Sequence, residues 1–415
     1  MDVLLFEDAA VSQLDPIAIG KPAFAISCGG RRLLDIVLPL GSLHAHVRPH
    51  LRQLVEADYP AASLSGNFGG GPLLVINARL VPDAGAVKAL ASLSASKDPR
   101  VLVRGESVAA AILNANFAGQ LRRSEEPIDQ QIRSMQLASA SSEAQLFDFP
   151  HDVIRHHLTS FGENLGAVAS STIYRQTADG VFLAEGATLG PYVTTDTTKG
   201  PIVLDAGASV GPYCYLRGPV HLGPGTRVLE NSVLKDGVST GHTVKIGGEV
   251  DASIIEPFTN KQHHGFLGHS YLGSWINLGA GTCNSDLKNT YGTVNMEYRG
   301  KKVNTGMQFV GAIIGDYAKT AINTGVFTGK TIGVCSMVYG FVTTNVPSFV
   351  NYARLFGQVT EAPVEVMVST QRRMFARRGV EQRPCDIQLL HDMYALTAHE
   401  RQALGETLSI EPLSL

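Results

Sequence analysis

The chain of 415 residues is longer than one hydrophobic core usually organises, so two or three domains are expected. Its 34 basic and 37 acidic residues give a formal net charge of −3, which offers no basic surface for the phosphate backbone of nucleic acid. Five scattered cysteines without a Cys-x-x-Cys pair favour reduced thiols over a disulfide or zinc framework, and therefore a cytoplasmic location.

Residues 1–122 alternate short apolar runs with helix-like segments, which predicts an α/β domain. The opening run meets acidic residues after four apolar ones and has no basic region, so no signal peptide is expected. No apolar run in the chain approaches the ~18–20 residues that a membrane span requires. Residues 123–146 are polar and rich in small side chains, which predicts a linker.

A six-residue period follows the linker. An aliphatic or small residue returns at every sixth position at Leu204, Val210, Leu216, Leu222, Val228, Leu234, Thr240, Ile246 and Ala252. The same period resumes from Ile314 to Val338. A period of six requires a short strand and a corner in every repeat, and three such repeats make one coil of a triangular prism. Residues 147–357 are therefore predicted to form a parallel β-helix, and residues 358–415 a C-terminal helical segment.

The longest break in the period contains the most unusual sequence. Gly268-His269-Ser270-Tyr271-Leu272-Gly273 is followed by Asn277-Leu278-Gly279-Ala280-Gly281-Thr282 and then by Cys283-Asn284. Residues 283–308 leave the period altogether, which predicts a loop projecting from the prism. Loops on rigid scaffolds commonly carry binding residues, so the candidate site is placed here.

In order and spacing, these motifs resemble the acetyltransferase motif of the bacterial bifunctional sugar-phosphate uridylyltransferase/N-acetyltransferase enzymes. Upstream, Leu5–Asp8, Lys21-Pro22, Asn77–Leu80 and Asp152–Ile154 resemble the divergent nucleotidyltransferase domain of that family. The resemblance implies a left-handed, homotrimeric β-helix that transfers an acetyl group from acetyl-CoA to a glucosamine-1-phosphate-like amino sugar. If the N-terminal domain is active, the resemblance implies that it uses UTP as a substrate and Mg²⁺ as a cofactor. Its product would be a UDP-N-acetylglucosamine-like sugar nucleotide for cell-envelope polymers.

The same resemblance implies roles for individual residues. His269 would be the general base, and an imidazole titrates near neutrality, which suits that role. The positions that would hold the sugar phosphate are Tyr271, Asn277, Asn284, Lys261 and Lys288, and those that would contact the cofactor are Ala280, Ala318 and Ser336. Two departures keep the exact base and the acceptor open. The spacing between His269 and Tyr271 is one residue shorter than in the better-known enzymes of the family. Ser285 stands where the family often has a tyrosine.

The N-terminal domain lacks a glycine-rich loop of the G-x-G-T-R type. Gly29-Gly30-Arg31-Arg32 is the candidate substitute, because backbone N–H groups and guanidiniums suit phosphate. Asp8 and Asp152 are the candidate magnesium ligands if the domain is active, since hard cations prefer carboxylate oxygens. Isolated acidic residues of this kind are also typical of helix caps and of exposed surfaces.

Two other functions stay open at this point. His242, His264 and His269 could bind zinc across a subunit interface, as in trimeric hydrolyases similar to carbonic anhydrase. Alternatively, the solenoid is purely structural, His269 only caps a corner, and the lysines are ordinary solvated side chains.

Overall fold

The computed structural model describes residues 1–121, 126–404, 408–409 and 413. These residues form two compact units, Met1–Phe149 and Pro150–Leu415. Each unit has its own hydrophobic core.

The first unit is an α/β domain, as predicted. Its seven-stranded sheet has the order β3-β2-β1-β4-β6-β5-β7. The strands are β1 (Asp2–Phe6), β2 (Ser42–His46), β3 (Ala62–Ser63), β4 (Leu73–Asn77), β5 (Arg100–Arg104), β6 (Ser107–Leu113) and β7 (Ala138–Ser139). The helices are α1 (Leu33–Val37), α2 (Arg52–Asp58), α3 (Ala84–Ser94), α4 (Ala115–Leu121) and α5 (Ile128–Ser134). Strand β1 pairs in parallel with β2 and β4, and all five residues of β4 are buried, as in a central strand covered on both faces.

Residues 126–146 belong to the predicted linker, but they lie inside this unit instead. They contain α5 and β7, and β7 pairs with β5 at the edge of the sheet. Ile128 and Ile132 are four residues apart on α5 and are buried in the same core as Leu121. Polar neighbours conceal this short apolar face in the sequence. Residues 123–125 of the predicted linker lie outside the described residues.

The second unit opens with a helix rather than with a β-helix coil. Helix α6 (Pro150–Ala169) buries Phe161 and Leu165 against Val203 of the solenoid. The predicted boundary at residue 147 therefore includes about 20 residues of helix before the first strand.

The solenoid has three faces of parallel strands. The first face contains β8 (Arg175–Ala178), β9 (Val181–Leu183), β12 (Ile202–Leu204), β15 (Val220–Leu222), β18 (Val238–Thr240), β21 (Ile254–Ile255), β24 (Tyr271–Leu272), β28 (Ala312–Ile314) and β31 (Lys330–Ile332). The second contains β10 (Thr188–Leu189), β13 (Ser209–Val210), β16 (Arg227–Val228), β19 (Lys245–Ile246), β22 (Asn260–Lys261), β29 (Lys319–Thr320), β32 (Met337–Val338), β34 (Val350–Ala353) and β35 (Gln358–Glu361). The third contains β11 (Thr194–Asp196), β14 (Tyr215–Arg217), β17 (Val233–Lys235), β20 (Glu249–Asp251) and β23 (Phe266–Gly268), followed by β25 (Cys283–Asn284), β30 (Gly325–Val326) and β33 (Phe341–Val342). Only β8 and β35 run antiparallel to their neighbours on these faces, among the strands that the structure describes.

The six-residue period produces the predicted core. Leu204, Leu216, Leu222, Leu234 and Ile246 are fully buried in one continuous cluster inside the prism. The fold is the predicted left-handed parallel β-helix. The predicted loop carries an antiparallel hairpin of β26 (Asn295–Tyr298) and β27 (Lys301–Asn304).

Three helices follow the solenoid, as predicted for the C-terminal segment. They are α7 (Val364–Ala376), α8 (Pro384–Leu396) and α9 (Ala398–Gln402). Phe375 of α7 stacks on Trp275 of the solenoid with ring centroids 4.4 Å apart. Within the described ranges, no helix combines the length and the apolar character that crossing a membrane would need.

Candidate functional site

His269 lies at the corner where the third face turns into the first. Its backbone has a left-handed φ of 44°, a conformation that non-glycine residues rarely adopt. Two hydrogen bonds hold this corner. The His269 N–H donates to the carbonyl of Asp251 at 3.1 Å, and the His269 carbonyl accepts from the N–H of Gly311 at 2.8 Å. The backbone of the preceding and following coils thus fixes the position of the imidazole.

The His269 ring pairs with a carboxylate from the projecting loop. Nδ1 lies 2.9 Å from Oδ2 of Asp286, and the ring stacks on Phe309 with centroids 5.1 Å apart. The side chains of His269 and Asp286 are only 19% and 14% exposed. A carboxylate at Nδ1 favours the tautomer with a proton on that nitrogen, which leaves the Nε2 lone pair to accept a proton. This is the arrangement that a general base requires.

The space for Asp286 depends on Gly268. A Cβ atom at position 268 would clash with Oδ2 of Asp286 and with the ring of Phe266. Glycine at this position therefore leaves a gap in the third face, and the Asp286 carboxylate enters that gap from the loop.

Asp286 and Phe309 were not among the site residues predicted from the sequence. Asp286 follows His269 by 17 residues, the same offset that pairs Glu249 with Phe266 across two neighbouring coils. Extending the coil period into the loop would have found Asp286. Phe309 gives no comparable signal, because it lies at the far end of the loop.

Two of the predicted substrate ligands are buried parts of the solenoid. The Asn284 side chain is bonded to the backbone of Gly268, accepting from its N–H at 2.9 Å and donating to its carbonyl at 3.0 Å. Tyr271 is fully buried, and its hydroxyl donates to Oε1 of Glu256 at 2.7 Å. The structure corrects both predictions, because neither side chain is exposed to a ligand. Asn284 instead supports the backbone beside His269.

Lys261 is also buried, in register with Ile246 of the preceding coil. Its ammonium donates to three carbonyl oxygens, those of Gly247 at 2.8 Å, His263 at 2.7 Å and Gly265 at 2.7 Å. An ammonium has three protons, so these bonds use its full donor capacity. This corrects the predicted phosphate contact: Lys261 holds the turn that leads into β23. Burial lowers the pKa of Lys261 to about 8.

Asn277 and Lys288 remain accessible. Asn277 is exposed on the second face, and its Oδ1 lies 3.4 Å from Nδ2 of Asn260. Lys288 is half-buried in the projecting loop, and its ammonium donates to the carbonyl of Thr293 at 3.1 Å. Both stay predictions as sugar-phosphate ligands.

Of the three predicted cofactor contacts, one residue is half-buried and two are buried. Ala280 is half-buried in a solenoid turn, and its carbonyl accepts from the N–H of Asn323 at 2.7 Å. Ala318 and Ser336 are buried inside the solenoid, and the Ser336 hydroxyl donates to the carbonyl of Pro347 at 2.6 Å. The small side chains of Ala318 and Ser336 fit the crowded interior of the coils, and their contact with the cofactor stays a prediction.

In the first unit, the predicted phosphate loop is a tight turn. Gly29 and Gly30 have φ angles of 61° and 74°, and Cys28 bridges to Arg31 across them. Arg31 donates from Nε to the carbonyl of Pro82 at 3.0 Å. Arg32 pairs with Asp35 at the start of α1, with Nη2 2.6 Å from Oδ1. Both guanidiniums thus have partners within the fold, and their role with a nucleotide stays a prediction.

The candidate magnesium ligands are engaged in ion pairs. Both oxygens of Asp8 accept from the buried Arg79, at 2.8 and 2.7 Å. Arg79 holds the pKa of Asp8 below its usual value, although burial acts in the opposite direction. Asp152 pairs with Arg155 at 2.7 Å. Neither carboxylate fits a magnesium site, so the structure corrects that prediction.

Among the described residues, no three or more His, Cys, Asp or Glu side chains are grouped so that they could hold a metal ion. His269 uses Nδ1 for Asp286, and Nδ1 of His242 lies 3.1 Å from the hydroxyl of Thr243. These Nδ1 contacts are compatible with a base and with a metal ligand, so the zinc hypothesis, which places the metal between subunits, stays a prediction.

We expect Asp8→Asn to lower the free energy of unfolding of the first unit by about 2 kcal/mol, because Arg79 would lose its charged bidentate partner in the core. Hydrogen exchange of the β1 and β4 amides would measure the loss. Asp148→Asn is the matched control, because Asp148 also contacts Arg79, at 3.1 Å, but is 68% exposed. If Mg²⁺ protected β1 in the wild type and not in Asp8→Asn, Asp8 would be a metal ligand after all.

Comparisons with known proteins give matches to parts of this chain. The family described as "Sugar nucleotidyl transferase" matches residues 3–171. A bifunctional sugar-1-phosphate nucleotidylyltransferase/acetyltransferase of Sulfurisphaera tokodaii is 30% identical over 149 residues, which are 35% of this chain and 37% of that protein. The bifunctional protein GlmU of Alkalilimnicola ehrlichii is 32% identical over 162 residues, which are 34% of this chain and 32% of that protein.

Another relative is more similar over a shorter stretch. The bifunctional protein GlmU of Desulfitobacterium hafniense is 35% identical over 126 residues, 27% of this chain and 24% of that protein. Among solved structures, the polySia specific acetyltransferase NeuO aligns at 16% identity with a TM-score of 0.25, over 42% of this chain and 82% of that one. This chain spans about a third of the length of the first two relatives. Residues 3–171 thus match the sugar nucleotidyl transferase family, and over about a third of its length the chain is similar to bifunctional proteins.

Proposed function

We propose that the second unit transfers the acetyl group of acetyl-CoA to the amino group of an amino-sugar phosphate similar to glucosamine 1-phosphate. The observation that carries this proposal is the His269–Asp286 pair, which leaves Nε2 of a partly exposed imidazole available beside a projecting loop. The name of the Sulfurisphaera tokodaii relative, which includes acetyltransferase, supports the same chemistry.

In the proposed reaction, Nε2 of His269 takes a proton from the acceptor nitrogen as that nitrogen attacks the thioester carbonyl carbon. The carbon–sulfur bond of the tetrahedral intermediate then breaks. The proton passes from the imidazolium to the leaving thiolate, which gives the amide and free CoA. Asp286 stabilises the transient imidazolium, and such base catalysis is worth about 10²–10⁴-fold in rate.

Binding of the acceptor is assigned to residues that the solenoid leaves accessible. Lys288 would neutralise the sugar phosphate, and Asn277 would hydrogen-bond to the sugar. The backbone at Ala280 would contact the thioester end of acetyl-CoA. The buried Lys261, Tyr271 and Asn284 have the different role of holding the coils around His269.

The proposal includes a homotrimer in a reducing compartment. Phe327 and Phe341 are 51% and 52% exposed and lie side by side on the third face, with ring centroids 6.4 Å apart. Exposed aromatic patches of this kind commonly mark protein interfaces. All five cysteines have free thiols, which is consistent with the cytoplasm. Light scattering of purified protein should give three times the mass of the chain, whereas a monomer would exclude the trimer.

A second proposed activity belongs to the first unit. The family match over residues 3–171 favours transfer of a nucleotidyl group from UTP to a sugar phosphate. Because Asp8 is committed to Arg79, no metal-dependent step is assigned to it. Release of pyrophosphate from UTP with N-acetylglucosamine 1-phosphate would test this activity separately from acetyl transfer.

The experiment for the main proposal measures free-thiol release from acetyl-CoA in the presence of glucosamine 1-phosphate. Release that requires the amine would support the acyltransferase. If acetyl-CoA and other acyl donors stayed inert with every amino sugar tested, the structural solenoid would become the better description.

A further inference from the structure

A second carboxylate lies next to the His269–Asp286 pair. On the third face, the strands pair in register so that Arg217, Lys235, Asp251 and Gly268 occupy equivalent positions on successive coils. Neighbouring strands are about 4.8 Å apart. Gly268 is the neighbour of Asp251 on the next coil, and it has no side chain. The gap that it leaves is the one that the Asp286 carboxylate enters, so no side chain at position 268 separates Asp251 from this gap.

The other charged side chains of this face have close partners. Arg217 donates from Nε to Asp236 at 3.0 Å, and Lys235 donates to Glu249 at 2.7 Å. Asp251 is different. The ammonium of Lys235 is 3.9 Å from its Oδ2, and its Oδ1 is shielded from solvent with no hydrogen-bond partner in the described part of the chain.

A shielded carboxylate oxygen without a partner is unfavourable, because it loses hydration without gaining a hydrogen bond. Burial accordingly raises the pKa of Asp251, and positive charge at His269 would oppose that effect. The main chain brings the two residues together, since the N–H of His269 donates to the carbonyl of Asp251. Asp251 would therefore gain its missing electrostatic partner when His269 takes up a proton.

We propose that Asp251 acts through His269, as a second carboxylate that stabilises the imidazolium formed when the base accepts the acceptor's proton. Asp286 fixes the ring by a hydrogen bond, whereas Asp251 acts by its charge. The other charged groups near this pair are Lys235 and Asp236 from β17 and its corner, and Glu249 from β20. Lys235 is shared with Glu249, so it does not cancel the charge of Asp251.

The test is Asp251→Asn, which removes the charge and keeps the shape. Its first readout is the pH midpoint at which the Cε1–H resonance of His269 shifts, with the resonance assigned by its loss in His269→Asn. We expect this midpoint to fall by about one pH unit. Asp196→Asn is the matched control, since Asp196 has the equivalent position on the same face three strands away, and it should leave the midpoint in place. Asp251→Glu keeps the charge and should restore it.

The second readout rests on the proposed acyltransferase activity. Asp251→Asn should lower kcat about tenfold and leave KM for both substrates unchanged, with the acidic limb of the kcat/KM profile moved to lower pH. An unmoved resonance midpoint, or an equal movement in Asp196→Asn, would overturn the inference. If the wild type transferred no acyl group, the proposed function would fail, and the resonance measurement would still decide the role of Asp251.

Discussion

Replacing His269 by asparagine is expected to lower kcat for acetyl-CoA-dependent acylation by about 10²–10⁴-fold, because the proton acceptor would be lost. Asparagine is a better probe than alanine here. The backbone φ of 44° at this position is tolerated by asparagine more readily than by most residues, so the corner should keep its shape. The measurement is the rate of thiol release at saturating acetyl-CoA and glucosamine 1-phosphate.

His264→Asn is the matched control for this variant. His264 is exposed five residues upstream, and it is one of the three histidines of the zinc hypothesis. Full activity in His264→Asn together with loss in His269→Asn would identify the base. Full activity in His269→Asn would show that another group accepts the proton. Loss of activity and of bound zinc in His264→Asn would support the hydrolyase instead.

Replacing Lys261 by methionine is expected to lower the free energy of unfolding of the second unit by about 3 kcal/mol. Methionine fills the aliphatic space but leaves three carbonyl oxygens without their donor, and each unsatisfied buried group costs about 1 kcal/mol or more. The single tryptophan of the chain, Trp275, lies in this unit and would report denaturant unfolding by fluorescence. Lys288→Met is the control, and a half-buried loop lysine should change stability by less than about 0.5 kcal/mol.

Lys261→Met and Lys288→Met also distinguish a structural role in the solenoid from a role in binding the sugar phosphate. Lys288→Met should raise KM for the sugar phosphate about tenfold, since a charge-assisted contact would be lost. A stable Lys261→Met variant with a raised KM would contradict the structural role and revive the predicted phosphate contact. A stable Lys288→Met variant with an unchanged KM would remove Lys288 from the binding site.

The stability of the second unit should also depend on pH through Lys261. Its pKa is lowered to about 8 in the folded protein, against 10.5 for a lysine in an unfolded chain. Between these values the unfolded chain binds more protons than the folded one, so stability rises with pH from about 8 to 10.5. The pKa of Lys319 is lowered to about 8 as well and should contribute in the same direction. Lys261→Met should remove only the Lys261 share of this rise.

The repeat architecture could be predicted from the sequence because the inward positions of a coil are apolar and recur at a fixed interval. The same rule could not identify the polar exceptions. Lys261 and Asn284 occupy inward positions in register with Ile246 and Val326, where their polar groups bond to backbone atoms. A buried lysine and a ligand lysine look alike in a sequence, since only the fold shows which carbonyl groups surround the ammonium.

The candidate base was predicted from the sequence, but the carboxylates around it were not. His269 stands out in a motif, whereas Asp286 lies in a loop that has left the period. Asp251 lies in a regular coil and has the appearance of an ordinary surface residue. In the first unit, the Asp8–Arg79 pair joins residues 71 positions apart, a separation over which neither composition nor spacing predicts contact.

At position 269, selection for stability and selection for catalysis favour different residues, because the backbone there is left-handed. A histidine in this conformation costs roughly 1 kcal/mol relative to glycine, and the chain tolerates it because the neighbouring coils bind its N–H and its carbonyl. Directed evolution for heat resistance would therefore favour glycine or asparagine at position 269 on backbone grounds and discard the imidazole. A library screened only for thermal survival should lose the base here, and a parallel screen for turnover should keep it.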